Sequence, residues 1–256
     1  MSLLGWLGAV AAAAWSAIWP QWSLAALAFA LLLAFRPFFR PRRIQQRWLD
    51  RRQLLHEIVC SALTLSMGSL IGVALGALAS RGWLVVPSGP VSAWRVAGEV
   101  LLYVALFDVY FYFAHRLFHT DLLYWMHRIH HRSEAPDPLT AFSFHPLEGF
   151  LTGGFALLMA WVFRMHVYSL IAANVFGILS GVVIHSGHEI FPRWWFAHPI
   201  TRWLISPMYH DRHHATSRYH FGAYTTVWDR LFGTLQPSFE DDYRAFHERL
   251  AAGRRA

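Results

Sequence analysis

The sequence predicts an all-α, multi-pass membrane protein with four to five transmembrane helices and a cytosolic helical cap. Three observations predict it. Hydrophobic residues make up 55 % of the 256 residues and charged residues only 14 %, where soluble domains carry about a quarter charged. Apolar runs of roughly span length recur up to residue 184 and then stop. Between two of those runs lies a dense arginine segment. The spans are expected to be helical because lipid satisfies no backbone hydrogen bonds.

Residues 3–19 are apolar and alanine-rich and are stopped by Pro20; residues 21–35 form a second run that ends at Arg36. Both are slightly shorter than the roughly 20 residues of a span. They read as a hairpin or as an interfacial helix plus one span, hence four to five. No basic residue precedes the first run, which disfavours a cleaved signal peptide. Residues 57–79 form a membrane helix ending before Ser80, Arg81 and Gly82, and a loop with Pro87, Gly89 and Pro90 follows. Residues 96–114 form the next helix and run straight into His115; 147–163 and 167–184 form a helical hairpin around Arg164 and His166. Residues 185–256 contain no further run of this kind and form the cap. This divides the chain into an N-terminal membrane unit with a basic loop, 1–95, and a unit carrying the chemistry, 96–256.

The formal net charge is +7, and all 22 basic residues are arginine. Seven of them, Arg36, Arg40, Arg42, Arg43, Arg47, Arg51 and Arg52, lie between apolar segments, where a positive-inside loop belongs. Membrane topology therefore accounts for the charge better than nucleic-acid binding does. With that loop in the cytosol, alternation of the spans returns His115 to His145 and everything after His185 to the same side. The far side then carries only Arg81, Arg95 and Arg164. Cys60 is the only cysteine; it excludes an intrachain disulfide and reads as packing.

The 16 histidines cluster. His115 and His119 are spaced i, i+4; His127, His130 and His131 form H-x-x-H-H; His185 and His188 are spaced i, i+3; His210, His213 and His214 repeat H-x-x-H-H. On a helix such positions share a face, so each cluster can aim its imidazoles at one point. Ten ligands suffice for two metals. A structural zinc site closes with four ligands, often cysteines, and a catalytic zinc uses three. Two redox metals fit ten imidazoles better, and imidazole suits iron.

The sequence His115-Arg116-Leu117-Phe118-His119, then His127-Arg128-Ile129-His130-His131, then His210-Asp211-Arg212-His213-His214 resembles the three histidine boxes of the fatty acid hydroxylase superfamily, often called the sterol desaturase family. Trp228-Asp229-Arg230-Leu231-Phe232-Gly233-Thr234 resembles the motif that follows the last box there, and Phe144-His145-Pro146-Leu147-Glu148 and His185-Ser186-Gly187 are also similar to that family. The resemblance runs from about residue 100 to 237. It implies a non-haem di-iron centre at a membrane surface, with O2 as co-substrate and an external electron donor. The expected activity is hydroxylation, or else desaturation, of a lipid: sterol-like, fatty acyl, hopanoid or amino-lipid. His220 stands where the family often has asparagine. His188 is less general there than His185.

Other residues carry weaker expectations. His145 starts a membrane helix with Pro146 at its first turn and is a ligand or orients one. Glu148 accepts from a ligand imidazole or serves the helix start. Asp108 lies within a span on the face of His115 and is a functional candidate by its position. Asp211 and Asp229 orient ligands or lie on a solvated face, the commoner fate. His166 is expected at the interface, and His56, His198 and His247 at the surface or in packing. Trp194-Trp195-Phe196 reads as an interfacial belt, and Tyr110-Phe111-Tyr112-Phe113 as helix packing or the lining of a lipid tunnel. The chain has no G-x-G-x-x-G signature and no H-P-G-G of a fused cytochrome b5, so electrons are expected from a ferredoxin, a cytochrome b5 or a reductase, docked on an arginine-rich face. The rival classes are a membrane zinc hydrolase, disfavoured by the lack of H-E-x-x-H, and a metal transporter or sensor, disfavoured because the histidines cluster on one side rather than along the spans.

Overall fold

The computed structural model describes residues 23, 26–28, 30–31, 34–47 and 50–253. The 3–19 run lies outside the described residues; of the 21–35 run, residues 23, 26–28, 30–31 and 34 are helical. Among the described residues there is no strand, only two isolated bridges, Arg43 to His188 and Leu204 to Thr225. Four helical stretches are long and apolar enough to cross a bilayer.

Each starts where a side chain or a proline satisfies its first turn. Asp50 caps α1 (Arg51–Ser80), accepting from Gln53 N at 2.8 Å. Ser92 caps α2 (Ala93–Phe118), accepting from Arg95 N at 3.2 Å. After α3 (Tyr124–His127), the third span is α4 (Pro146–Gly153) followed by α5 (Phe155–Phe163), broken at Gly154. Arg164, with φ 46°, ends α5, and α6 (Val167–Ile184) returns. The cap holds α7 (Pro207–Thr216), α8 (Val227–Leu231) and α9 (Phe239–Gly253).

The spans expose their large apolar residues outward: Leu101, Trp161 and Ile171 are more than half exposed, as expected of faces that meet lipid. Inside, α1 packs on α4, and α2 on α6, around Tyr103, Phe155, Met159, Met165 and Ala173. At 1.5 Å per residue, the 30 residues of α1 span about 45 Å, longer than the roughly 30 Å hydrocarbon core. Its N-terminal turns therefore reach beyond the spans, and they are polar on one face. Gln53 Nε2 donates to Ala135 O at 3.1 Å, and Glu57 Oε1 accepts from Ser133 Oγ at 2.6 Å and Thr140 Oγ1 at 3.0 Å. Ser61 Oγ donates to Leu139 O at 3.3 Å, and Thr64 Oγ1 to Phe144 O at 2.9 Å. Spacings of four, four and three keep these residues on one helix face. They fasten the irregular 133–144 segment under the cap. Above it, α7 and α9 enclose Phe196, Ile205, Met208, Tyr209, Phe239, Tyr243 and Phe246.

Candidate metal centre

Four segments meet between the span ends and the cap. The last turn of α2 carries His115, and His119 is its C-cap. His127 ends α3, and His130 and His131 follow in a 3-10 turn. His185 is the C-cap of α6. Ser206 caps α7, accepting from Tyr209 N at 3.3 Å, and Pro207 occupies its first turn; His210, His213 and His214 follow on that helix.

The rings fall into two groups. His115, His119, His127, His131 and His213 form one; His130, His185, His210 and His214 form the other. Within each group the ligand nitrogens all lie within 4.8 Å of one another. The groups adjoin: ring centroids of His131 and His214 are 5.0 Å apart, and those of His210 and His213 5.5 Å. All nine are buried except half-buried His119.

The outer nitrogens fix which way the inner ones point. Nδ1 of His115 donates to Phe221 O at 3.0 Å, of His130 to Ser143 O at 3.2 Å, of His185 to Gly181 O at 2.7 Å, and of His213 to Tyr219 O at 2.7 Å. Nδ1 of His127 donates to Glu148 Oε1 at 2.7 Å. A proton held at Nδ1 leaves a lone pair at Nε2. Those lone pairs face one another: Nε2 of His131 is 3.1 Å from Nε2 of His127, 3.2 Å from that of His119 and 3.1 Å from that of His213. In the second group Nε2 of His185 lies 2.9 Å from that of His210 and 3.4 Å from that of His130. Converging lone pairs in a dry site repel unless a cation lies between them. Adjacent nitrogens about 2.1 Å from a common ion stand about 3 Å apart, so the spacing fits a metal ion in each group. Both ring nitrogens of His214 and Nδ1 of His210 are buried without a protein partner; a cation in the second group would take one nitrogen of His214 and leave Nδ1 of His210 as it is.

Burial keeps these rings neutral. The imidazoles of His119 and His185 are each pushed down to about 4 by loss of solvent. Those of His127, His130, His131, His210, His213 and His214 are held well below the ordinary range, first by burial and then by neighbouring histidines. Neutral imidazole is the metal-binding form.

Three carboxylates hold the frame. Glu148, reached from α4, orients His127. Asp108 on α2 accepts from Tyr224 N at 2.7 Å, Thr225 N at 3.1 Å, Thr225 Oγ1 at 2.5 Å and Trp228 Nε1 at 3.1 Å. It thus clamps the cap to a span rather than touching a ligand. Asp229 is fully buried, not on a solvated face: it accepts from Phe221 N and Gly222 N, both at 2.9 Å, from Thr234 Oγ1 at 2.8 Å, and from Tyr209 Oη. The peptide it holds presents the Phe221 carbonyl to His115. Asp211 is likewise buried, 3.0 Å from Gln45 Nε2.

His188 stands outside both groups. Its Nδ1 bonds Ser186 O at 2.7 Å, and its ring faces Phe39 at 6.0 Å. The i, i+3 argument assumed a helix through 185–188, but α6 ends at Ile184, and Gly187, with φ 69°, turns the chain away. A Cβ at Gly187 would meet Pro136 O at 2.5 Å, so the turn requires glycine. His145 and His198 accept from Leu147 N and Ile200 N respectively and join neither group. His220, with φ 69°, accepts from Gln236 N at 3.1 Å and packs against Tyr209 and Phe239; it supports the cap core. His166 is buried rather than superficial, donating to Gly89 O at 2.9 Å at the far end of the spans. Sequence reasoning missed the backbone acceptors Ser143, Gly181, Tyr219 and Phe221, since a carbonyl carries no residue-type signal.

A family profile for fatty acid hydroxylases matches residues 100–234, which contain all nine grouped histidines. The chain is 27 % identical over 217 residues to methylsterol monooxygenase 1 of Danio rerio, covering 79 % of this chain and 70 % of that one. It is 25 % identical over 197 residues to human lathosterol oxidase, covering 74 % and 64 %. It is 26 % identical over 218 residues to a delta(7)-sterol 5(6)-desaturase of Gibberella zeae, covering 83 % and 58 %. No solved structure matches. With more than half of its length matched and its histidines gathered beside four apolar helices, the chain belongs to the fatty acid hydroxylase superfamily, in the sterol desaturase family, and is a membrane oxidoreductase.

Proposed function

We propose that this protein oxidises a C–H bond of a sterol or sterol-like lipid at a pair of irons, using O2 and electrons from an external protein donor. The observation that carries the reading is the sorting of nine imidazoles into two adjoining groups, eight of them with Nε2 turned toward the Nε2 of another. The groups contain no thiolate and no carboxylate. Nitrogen donors of this kind suit iron that changes oxidation state. A structural zinc site would need only four ligands. Iron held there supplies the activation of O2: hydroxylation consumes one O2, two electrons and two protons per C–H bond and releases one water, and removal of a second hydrogen gives an alkene.

The chain's own residues prepare that chemistry. His115, His119, His127, His131 and His213 hold one ion, and His130, His185, His210 and His214 the other. Glu148 and the carbonyls of Phe221, Ser143, Gly181 and Tyr219 fix ring orientation and tautomer. Burial excludes water from the oxidising site. The lipid-facing spans give a membrane lipid lateral access to residues 96–256, the proposed catalytic unit. The sterol preference rests on the names of the relatives.

The site faces the cytosol in this reading. Arg42 Nη1 donates to Glu189 O at 3.1 Å, and Arg43 bridges to His188, so the arginine-rich segment and the histidines share one end of the spans. Arginine-rich loops belong inside. Ferredoxin, cytochrome b5 or a reductase is the donor class.

Lipid mass spectrometry of cells with and without the gene tests the proposal. The expected result is a lipid gaining 16 mass units or losing 2, abolished by His130→Ala. Purified, iron-loaded protein that consumes no O2 when given sterol and reductant, together with unchanged lipids, would overturn it.

A further inference from the structure

The sequence sets an arginine beside a site histidine repeatedly: His115-Arg116, His127-Arg128, His131-Arg132 and Arg212-His213. In the fold these imidazoles turn inward; of the arginines beside them, Arg116 lies over the Tyr112 ring and Nε of Arg212 is buried. Arg116, Arg128 and Arg132 are exposed, and Arg212 is half-buried. A fifth joins them from the end of α7. Ser217 places its Oγ 3.2 Å from Nδ1 of His131, and the next residue, Arg218, is exposed. Arg132 and Arg218 therefore flank a single contact, and Arg128 stands one turn before Arg132.

Among the described residues, none of these five arginines forms an ion pair with a carboxylate. Arginines elsewhere do: Arg47 with Glu134, Arg95 with Glu99, Arg202 and Arg230 with Glu240, and Arg244 with Asp241. Exposed like charges beside one contact repel one another and attract an anionic partner. The backbone beneath them is unusual too. Ser217 sits at φ 56°, a left-handed conformation that costs a non-glycine residue of order 1 kcal/mol and persists where the surroundings enforce it. His131 is also distinctive among the grouped histidines: its outer nitrogen meets a side-chain hydroxyl, while the outer nitrogens of His115, His127, His130, His185 and His213 end on backbone carbonyls or on Glu148. The Ser217–His131 edge thus leads from the surface to the five-imidazole group through one hydrogen bond.

We propose that Arg128, Arg132 and Arg218 form the docking face for an acidic one-electron carrier protein, whose electrons enter the five-imidazole group across the Ser217–His131 edge. The proposal rests on the redox reading above. Each docking event oxidises the carrier by one electron and reduces the centre by one, and two events supply one turnover. Anionic lipid headgroups also attract cations, but chiefly juxtamembrane ones. Arg116, in the last turn of a span, is left out of the set for that reason.

The test uses the full chain, loaded with iron, in phosphatidylcholine nanodiscs. A photoreduced plant-type [2Fe–2S] ferredoxin serves as the acidic probe, and reduced methyl viologen as a small reductant that needs no docking face. Stopped-flow oxidation of the ferredoxin is expected to slow as salt rises. Combining Arg128→Gln, Arg132→Gln and Arg218→Gln is expected to lower the second-order rate constant about tenfold at low salt and to flatten its salt dependence. Reduction by viologen is expected to stay unchanged in that variant, and Arg193→Gln, at another exposed cap arginine, is expected to match the wild type. Equal ferredoxin rates and salt slopes in the triple variant and the wild type would overturn the proposal. So would a triple variant that keeps its ferredoxin rate and loses binding to phosphatidylserine vesicles, which would make the face a lipid site. If viologen cannot reduce the wild type, the redox reading itself fails, and the docking proposal with it.

Discussion

The two imidazole groups adjoin, yet they are held differently. In the five-membered group, His115, His127 and His213 each end on a firm acceptor: the Phe221 carbonyl, Glu148 and the Tyr219 carbonyl. Behind that shell stand Asp229, which fixes the Phe221 peptide, and Asp108, which clamps residues 224–228 to α2. In the four-membered group only His130 and His185 are anchored at Nδ1, to Ser143 and Gly181, and His210 and His214 have no protein partner there. The first group is pre-organised by the protein, and the second leans more on the ion it holds. An account of this kind predicts unequal responses to mutation and removal of metal.

The largest effect is expected from His130→Ala, which takes a ligand from the smaller group: product formation should vanish, and metal analysis should show one ion where the wild type holds two. Next is Glu148→Ala. It strands the buried Nδ1 of His127 and should weaken metal binding in the larger group about 10–100-fold, with the smaller group keeping its ion; Glu148→Gln, which retains an acceptor, should lose less. Asp108→Ala leaves four donors unpaired and should destabilise the fold by about 3 kcal/mol, read as a lower melting temperature in detergent. A result near zero would show that the cap is not fastened through α2.

The pH response is smaller and should be shared. Burial pushes folded His119 and His185, one from each group, down to about 4, against about 6.5 for unfolded histidine. Between those values the unfolded chain binds more protons, so the metal-free protein is stabilised at neutral pH and loses that stability as pH falls from about 6.5 to about 4. Thermal melts across this window should show a monotonic decline. The smallest effect belongs to His188→Ala, which should keep both ions bound.

Much of this was legible in the sequence, for particular reasons. The spans at 57–79, 96–114, 147–163 and 167–184 were readable because lipid-facing helices are apolar all round; the observed helices extend them by a few capped residues at most ends. The longest extension, from 57 back to Arg51, was hidden because those turns of α1 are polar and zipped to residues 133–144. Nine of the ten expected ligands fall into the two groups because H-x-x-H-H and i, i+4 spacings bring rings together even where the backbone is a 3-10 turn rather than an α-helix. His188 falls outside both groups because spacing alone does not reveal that Gly187 reverses the chain. The roles of Asp108 and Asp229 depend on backbone amides more than a hundred residues away in one case and at a buried turn in the other. Neither leaves a mark on local pattern.

The most direct measurement is an anaerobic ferrous titration of the full chain in nanodiscs, followed by metal analysis and Mössbauer spectroscopy, on the wild type, His213→Ala and His210→Ala. Two bound irons in the wild type and one in each variant, with different spectra for the two that remain, is the predicted result. A single ion in the wild type, or two retained in both variants, would contradict the assignment of one iron to each group.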